Sequence, residues 1–149
     1  MSRILDAIDH FGGMASTGEL ASRGVERWEL DIDVFYGKVL RIRKGLWARP
    51  GLSELAVQAQ RAGGRLACVS ALAYHGVIEP VPGTLHVAAP LWAASWRPGR
   101  PNADVIRHWS RNEQRGDRMA VAPEDAWAQF ALCREVSGRD VRLRQTDSL

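Results

Sequence analysis

Gly37-Lys38-Val39-Leu40-Arg41-Ile42-Arg43-Lys44-Gly45-Leu46-Trp47-Ala48-Arg49-Pro50 is the stretch on which the reading of this 149-residue chain turns. Apolar residues bracket Lys44-Gly45, a pair that can serve as a hairpin turn, and Val39 and Ile42 supply β-branched strand character. The stretch carries five basic residues, Lys38, Arg41, Arg43, Lys44 and Arg49, and no acid. Upstream, from Met1 to Tyr36, seven acids stand against three arginines. The net charge of +3 therefore conceals a sharp reversal at Gly37, and the position of the charge is more informative than its sum.

Working outward toward the N-terminus, Ile4, Leu5, Ile8 and Phe11 recur at helical spacing, with Ser2 as N-cap and Gly12-Gly13 as a stop. A second helix is predicted from Ser16 or Thr17, capped by hydroxyl and closed by Gly24. The third runs from about Glu26 to Tyr36. Val25, Trp28, Ile32 and Phe35 form the stripe predicted to be buried, and Glu26, Arg27, Leu30, Asp33 and Val34 the opposite face. Helices followed by a short basic hairpin predict a winged helix-turn-helix over residues 1–51. The acids on the outward face of the third helix repel phosphate, which moves the expected contact with double-stranded DNA onto the hairpin. Arg27, Lys38, Arg41, Arg43, Lys44 and Arg49 are the candidate DNA-binding residues.

Residues 52–149 are predicted to form a small α+β domain with a short mixed or antiparallel sheet. A helix from Ser53-Glu54 to about Ala62 stops at Gly63-Gly64, and Leu66 to Val69 is too short for periodicity to assign. Ser70 is predicted to cap a helix over Ala71 to His75. Strands are expected over Thr84 to Ala89, Asp104 to Trp109 and Met119 to Val121, and a helix from Pro123 through Cys133, with proline in its first turn. The tail from Ser137 is weakly patterned. Trp92, Trp96, Arg97 and Arg100 in a long loop, with Arg107, Arg111, Arg115 and Arg118, either extend a basic track toward nucleic acid or form a solvated surface.

Catalysis is not expected. No Walker loop, nucleophile elbow or dinucleotide fingerprint occurs, and a degenerate nuclease centred on Asp104 lacks a lysine, because Lys38 and Lys44 are the only two. His10, His75, His86 and His108 make no HExxH motif. Cys68 and Cys133 have no paired spacing, so the expectation is two isolated buried thiols, no metal and no cofactor. The sequence has no apolar run of membrane-spanning length and no signal-peptide pattern, so a cytoplasmic protein is expected.

Two motifs in order carry a family resemblance. Gly37 to Ala48 resembles the G-x-L-x-R-V-x-R-G-V-Y-A signature of the AbiEi-type antitoxins of type IV toxin-antitoxin systems, with Lys44 where Arg is usual and Trp47 where Tyr is usual. Ser70-Ala71-Leu72-Ala73-Tyr74-His75-Gly76 is similar to their S-A-x-x-x-H-G segment. The resemblance implies a winged helix-turn-helix that represses its own operon through promoter repeats, followed by an α+β domain that opposes a nucleotidyltransferase toxin. Homodimerisation and a toxin partner are left open. A different class of function, a protein-interaction module using Leu30 and Val34, is the alternative.

Overall fold

The computed structural model describes residues 2–90, 104–110 and 115–144, and within these the chain is α+β. It divides into two compact units, Met1–Ser53 and Glu54–Leu149.

The first unit contains, in order, α1 (Arg3–His10), β1 (Met14–Ser16), α2 (Thr17–Ser22), α3 (Arg27–Phe35), β2 (Leu40–Arg43) and β3 (Leu46–Ala48). Local chemistry sets each helix start. The Ser2 hydroxyl accepts from the Leu5 amide at 3.3 Å and opens α1. Ser16 caps α2 in a reciprocal box: its hydroxyl accepts from Glu19 N at 3.0 Å, and the Glu19 carboxylate accepts from Ser16 N at 2.8 Å. At α3 the Glu29 carboxylate accepts from Glu26 N at 2.8 Å. The residue before each of the last two caps is Ala15 or Val25, and the fourth helical residue is Leu20 or Leu30. All four lie in one buried cluster, at the positions of a hydrophobic staple.

The sheet is antiparallel in the order β1-β3-β2. β1 is three residues long, too short for alternation to reveal it. Met14, Ala15 and Ser16 pair with Ala48, Trp47 and Leu46, so β3 is the central strand and all three of its residues are buried. β2 reaches β3 through the expected Lys44-Gly45 turn, with an irregularity between Arg41 and Arg43. Gly45 takes φ +80°, a conformation that a side chain resists, and its carbonyl accepts from Thr17 N at 3.0 Å. The hairpin tip is thereby docked on the start of α2.

The expected stripe of α3 is inverted. Leu30 is fully buried and Val34 packs against the core, whereas Trp28, Ile32 and Phe35 are 59%, 47% and 82% exposed. Val25 supplied the misleading phase. It lies before the cap Glu26, in extended chain, so its spacing to Trp28 is not a helical spacing.

The second unit contains α4 (Glu54–Arg61), β4 (Arg65–Leu66), α5 (Cys68–Tyr74), β5 (Thr84–Pro90), β6 (Asp104–Ser110) and α6 (Pro123–Leu132), followed by a 3-10 turn at Gly138–Asp140. Its sheet is mixed: β4 is antiparallel to β5, and β5 is parallel to β6. Met119 to Val121 does not form a strand of its own. It bridges to Leu66, which donates to Met119 O and accepts from Val121 N, both at 2.9 Å. α5 starts at Cys68, earlier than expected, and Ser70 is a buried interior residue whose hydroxyl accepts from His86 N at 2.9 Å. Leu85 through Ala89 are all buried, as a central strand covered on both faces requires.

Backbone packing is close at Gly64, between α4 and β4. A Cβ there would lie 2.1 Å from the Ala88 carbonyl oxygen. Gly64→Ala is therefore expected to lower the thermal midpoint by several degrees, while Gly138→Ala, with open space around it, leaves it within about 1 °C. Differential scanning calorimetry of the two variants checks this.

Candidate functional site

In the first unit the charge reversal takes a definite spatial form around Trp47. Its indole is fully buried and donates from Nε1 to the Thr17 hydroxyl at 2.8 Å. Two exposed arginines lie over the ring: the guanidinium carbon of Arg27, from α3, is 5.5 Å from the ring centroid, and that of Arg41, from β2, is 5.9 Å away. One indole thus gathers two of the predicted DNA-binding residues from elements adjacent to it. Lys38 and Lys44, at the two ends of β2, are exposed, and Arg43 is half-buried.

Other candidates are already engaged. Arg49 Nη1 donates to Asp9 Oδ2 at 2.7 Å, an ion pair joining the end of β3 to α1. Arg27 also approaches Asp31 at 3.6 Å along α3, which offsets that acid without burying either partner. The outward face of α3 is consequently apolar and aromatic as well as charged. It consists of Arg27, Trp28, Asp31, Ile32, Phe35 and Tyr36, with the Trp28 indole donating to Glu26. Leu30 and Val34, expected on this face as a docking surface, belong to the core.

In the second unit the predicted basic track is not assembled among the described residues. Arg97, Arg100 and Arg111, like Trp92 and Trp96, lie outside them. Arg107 is half-buried on β6, opposite Val87, and Arg115 approaches Asp125 at 3.6 Å. His75 behaves as an ordinary helix-end residue, its Nε2 at 2.8 Å from Val121 O.

The second unit also holds a constellation that motif reading missed. Cys68, His86, His108 and Cys133, expected to be unrelated, converge with their ligand-type atoms within 4.8 Å of one another. Cys68 is the first residue of α5 and Cys133 caps the end of α6. His86 and His108 share a face of the β5–β6 pair because Ala88, two residues beyond His86, is the register partner of His108. Burial, with smaller contributions from Cys133, pushes the Cys68 thiol up to about 12. Burial, aided by His108, takes His86 down to about 4, and burial alone lowers His108. The intervening spacings of 17, 21 and 24 residues match no short chelating motif. The available signal was His86, an imidazole flanked by Leu85 and Val87 in a largely apolar strand.

No protein-family model matches the chain, and no curated protein matches it. Among the described residues no helix is long and apolar enough to cross a membrane.

Proposed function

We propose that residues 1–53 form a winged helix-turn-helix that binds double-stranded DNA, and that the chain is a transcriptional regulator, a repressor of the antitoxin-like type. The observation that carries this reading is the order α1-β1-α2-α3-β2-β3 closed by a β1-β3-β2 sheet, with Arg27 of the third helix and Arg41 of the basic hairpin drawn together over Trp47. In this arrangement α3 enters the major groove and the hairpin lies along the adjoining backbone. Lys38, Arg41 and Lys44 neutralise phosphates, Arg43 supports them, and Arg27 works at the groove edge. Ile32 offers an apolar contact for a thymine methyl. Arg49 acts indirectly, holding the base of the hairpin through Asp9. The resemblance of Gly37 to Ala48 to the antitoxin signature agrees with this assignment and adds autoregulation as the expected biology.

The test is a gel-shift titration on the chain's own upstream DNA at several salt concentrations. Arg41→Ala with Lys44→Ala is expected to weaken binding at every salt concentration and to lower the slope of log K against log salt by about 2, one counterion-release increment per lost phosphate contact. An unchanged slope in a folded double variant overturns the wing as the electrostatic contact.

A second reading rests on the exposed Trp28, Ile32, Phe35 and Tyr36 on and just beyond α3. Such a patch suits an interaction with another protein, including a second copy of the chain, better than it suits phosphate. Ile32→Lys with Phe35→Lys separates the two. Loss of self-association in light scattering, with DNA affinity per chain retained, favours docking. Altered DNA affinity without any change in mass favours the groove.

A further inference from the structure

The four converging residues of the second unit have the composition and geometry of a metal centre. His86 Nδ1 and His108 Nε2 are 3.0 Å apart, and Cys133 Sγ lies 3.9 Å from the first and 4.0 Å from the second. Cys68 completes the group, with no pair of the four donor atoms more than 4.8 Å apart. A tetrahedron built on Zn–N bonds of about 2.0–2.1 Å and Zn–S bonds of about 2.3 Å has edges of about 3.3 Å between nitrogens, 3.6 Å between nitrogen and sulfur and 3.8 Å between sulfurs. The observed separations straddle these edges, and closing onto an ion requires side-chain shifts of no more than about 1 Å.

We propose that Cys68, His86, His108 and Cys133 bind one zinc ion in a closed tetrahedral site that ties the start of α5 and the end of α6 to the β5–β6 pair. Four considerations select this ion and this role. Two thiolates and two neutral imidazoles carry a charge of about −2 that a divalent cation cancels, and a neutral centre is the form that burial tolerates. A soft S2N2 donor set disfavours magnesium and calcium, which take oxygen ligands, and suits zinc. Four protein donors leave no open position for a water, so the site is structural and does not activate a nucleophile. The ligands come from four separate elements, so the site exists only once the unit has folded, and the ion stabilises the folded state by its binding.

The surroundings are consistent with held ligands. Cys68 sits at φ +51°, a strained backbone for a non-glycine residue, and its amide donates to Gln129 Oε1 of α6 at 2.8 Å. His86 is locked at its backbone on both sides: its amide donates to the Ser70 hydroxyl at 2.9 Å, and its carbonyl accepts from Ala67 N at 3.0 Å. Its ring Nε2 is buried without a hydrogen-bond partner among the described residues, and Nδ1 is the ring nitrogen that faces the cluster.

Cobalt substitution of the full-length, reduced protein tests the proposal. Metal analysis of protein prepared in zinc-supplemented medium is expected to find one zinc per chain. The stripped protein titrated with Co2+ is expected to show the intense visible bands of a tetrahedral thiolate site, saturating at one equivalent and abolished by added Zn2+. Cys133→Ser is expected to lose those bands and to weaken zinc binding by more than the 10–100-fold typical of losing an outer-shell partner. His108→Cys keeps four ligands and is expected to retain stoichiometric cobalt with a stronger sulfur charge-transfer band, which guards against misreading an unfolded Cys133 variant. Three results overturn the proposal: folded, reduced wild-type protein that takes up no stoichiometric zinc or cobalt, as a purely hydrogen-bonded cluster would; a Cys68–Cys133 disulfide that persists under the reducing conditions used; or full zinc affinity in Cys133→Ser.

Discussion

Trp47→Ala is expected to destabilise the first unit by about 3–5 kcal/mol, the range for removing a large aromatic from a packed core, and to abolish binding to upstream DNA in the same step. Trp47 is fully buried in the cluster that includes Ile8, Leu20 and Leu30, and it pairs across the sheet with Ala15 on one side and Arg41 on the other. Truncation leaves a cavity between the sheet and the helices, strips the Thr17 hydroxyl of its donor, and removes the surface over which Arg27 and Arg41 lie. Trp47→Phe separates these losses. It keeps an aromatic ring and much of the volume, and forfeits the hydrogen bond at about 1 kcal/mol. Hydrogen exchange read by mass spectrometry is the suitable measurement, because it resolves peptides of residues 1–53 from those of 54–149. Protection is expected to fall in the first set and to be retained in the second. Wild-type protection in Trp47→Ala would remove Trp47 from its central place in the core.

The same residues show how much was legible in the sequence. Local chemistry transferred well. The serine cap of α1, the Pro123 start of α6 with Glu124 and Asp125 in its first turn, and the Lys44-Gly45 turn each depend on neighbours a few positions apart. Reading failed where the deciding partner is remote. β1 exists because Met14, Ala15 and Ser16 find Ala48, Trp47 and Leu46 of β3, far along the chain, and three residues carry no period of their own. Ser70 looked like a cap, and its hydroxyl instead takes the amide of His86. The Cys/His group draws one ligand from each of four elements, and only the parallel register of β5 and β6 sets His86 beside His108. The arginines at 97, 100 and 111 fall outside the described residues.

Leu30→Lys gives the sharpest test of the inverted third helix, because the two phases predict opposite results for one substitution. Were Leu30 on the outer face, a lysine would be tolerated there and would favour DNA. At its observed position, fully buried among Ile8, Val25 and Val39, the lysine must either bury an unpaired ammonium or pull α3 off the core. A loss of roughly 4 kcal/mol or more is expected, enough to unfold a unit of ordinary marginal stability. Phe35→Lys is the matched control. It lies on the same helix, removes a larger apolar side chain, and sits at 82% exposure, so a change within about 0.5 kcal/mol is expected. Limited proteolysis under native conditions reads both, with Leu30→Lys cut rapidly within residues 1–53 and Phe35→Lys resistant like the parent. The contrast also constrains function. Phe35, Ile32 and Trp28 contribute little to the core at their exposures, so loss of DNA binding or of self-association on replacing them is attributable to the surface they form and not to collapse of the fold beneath it.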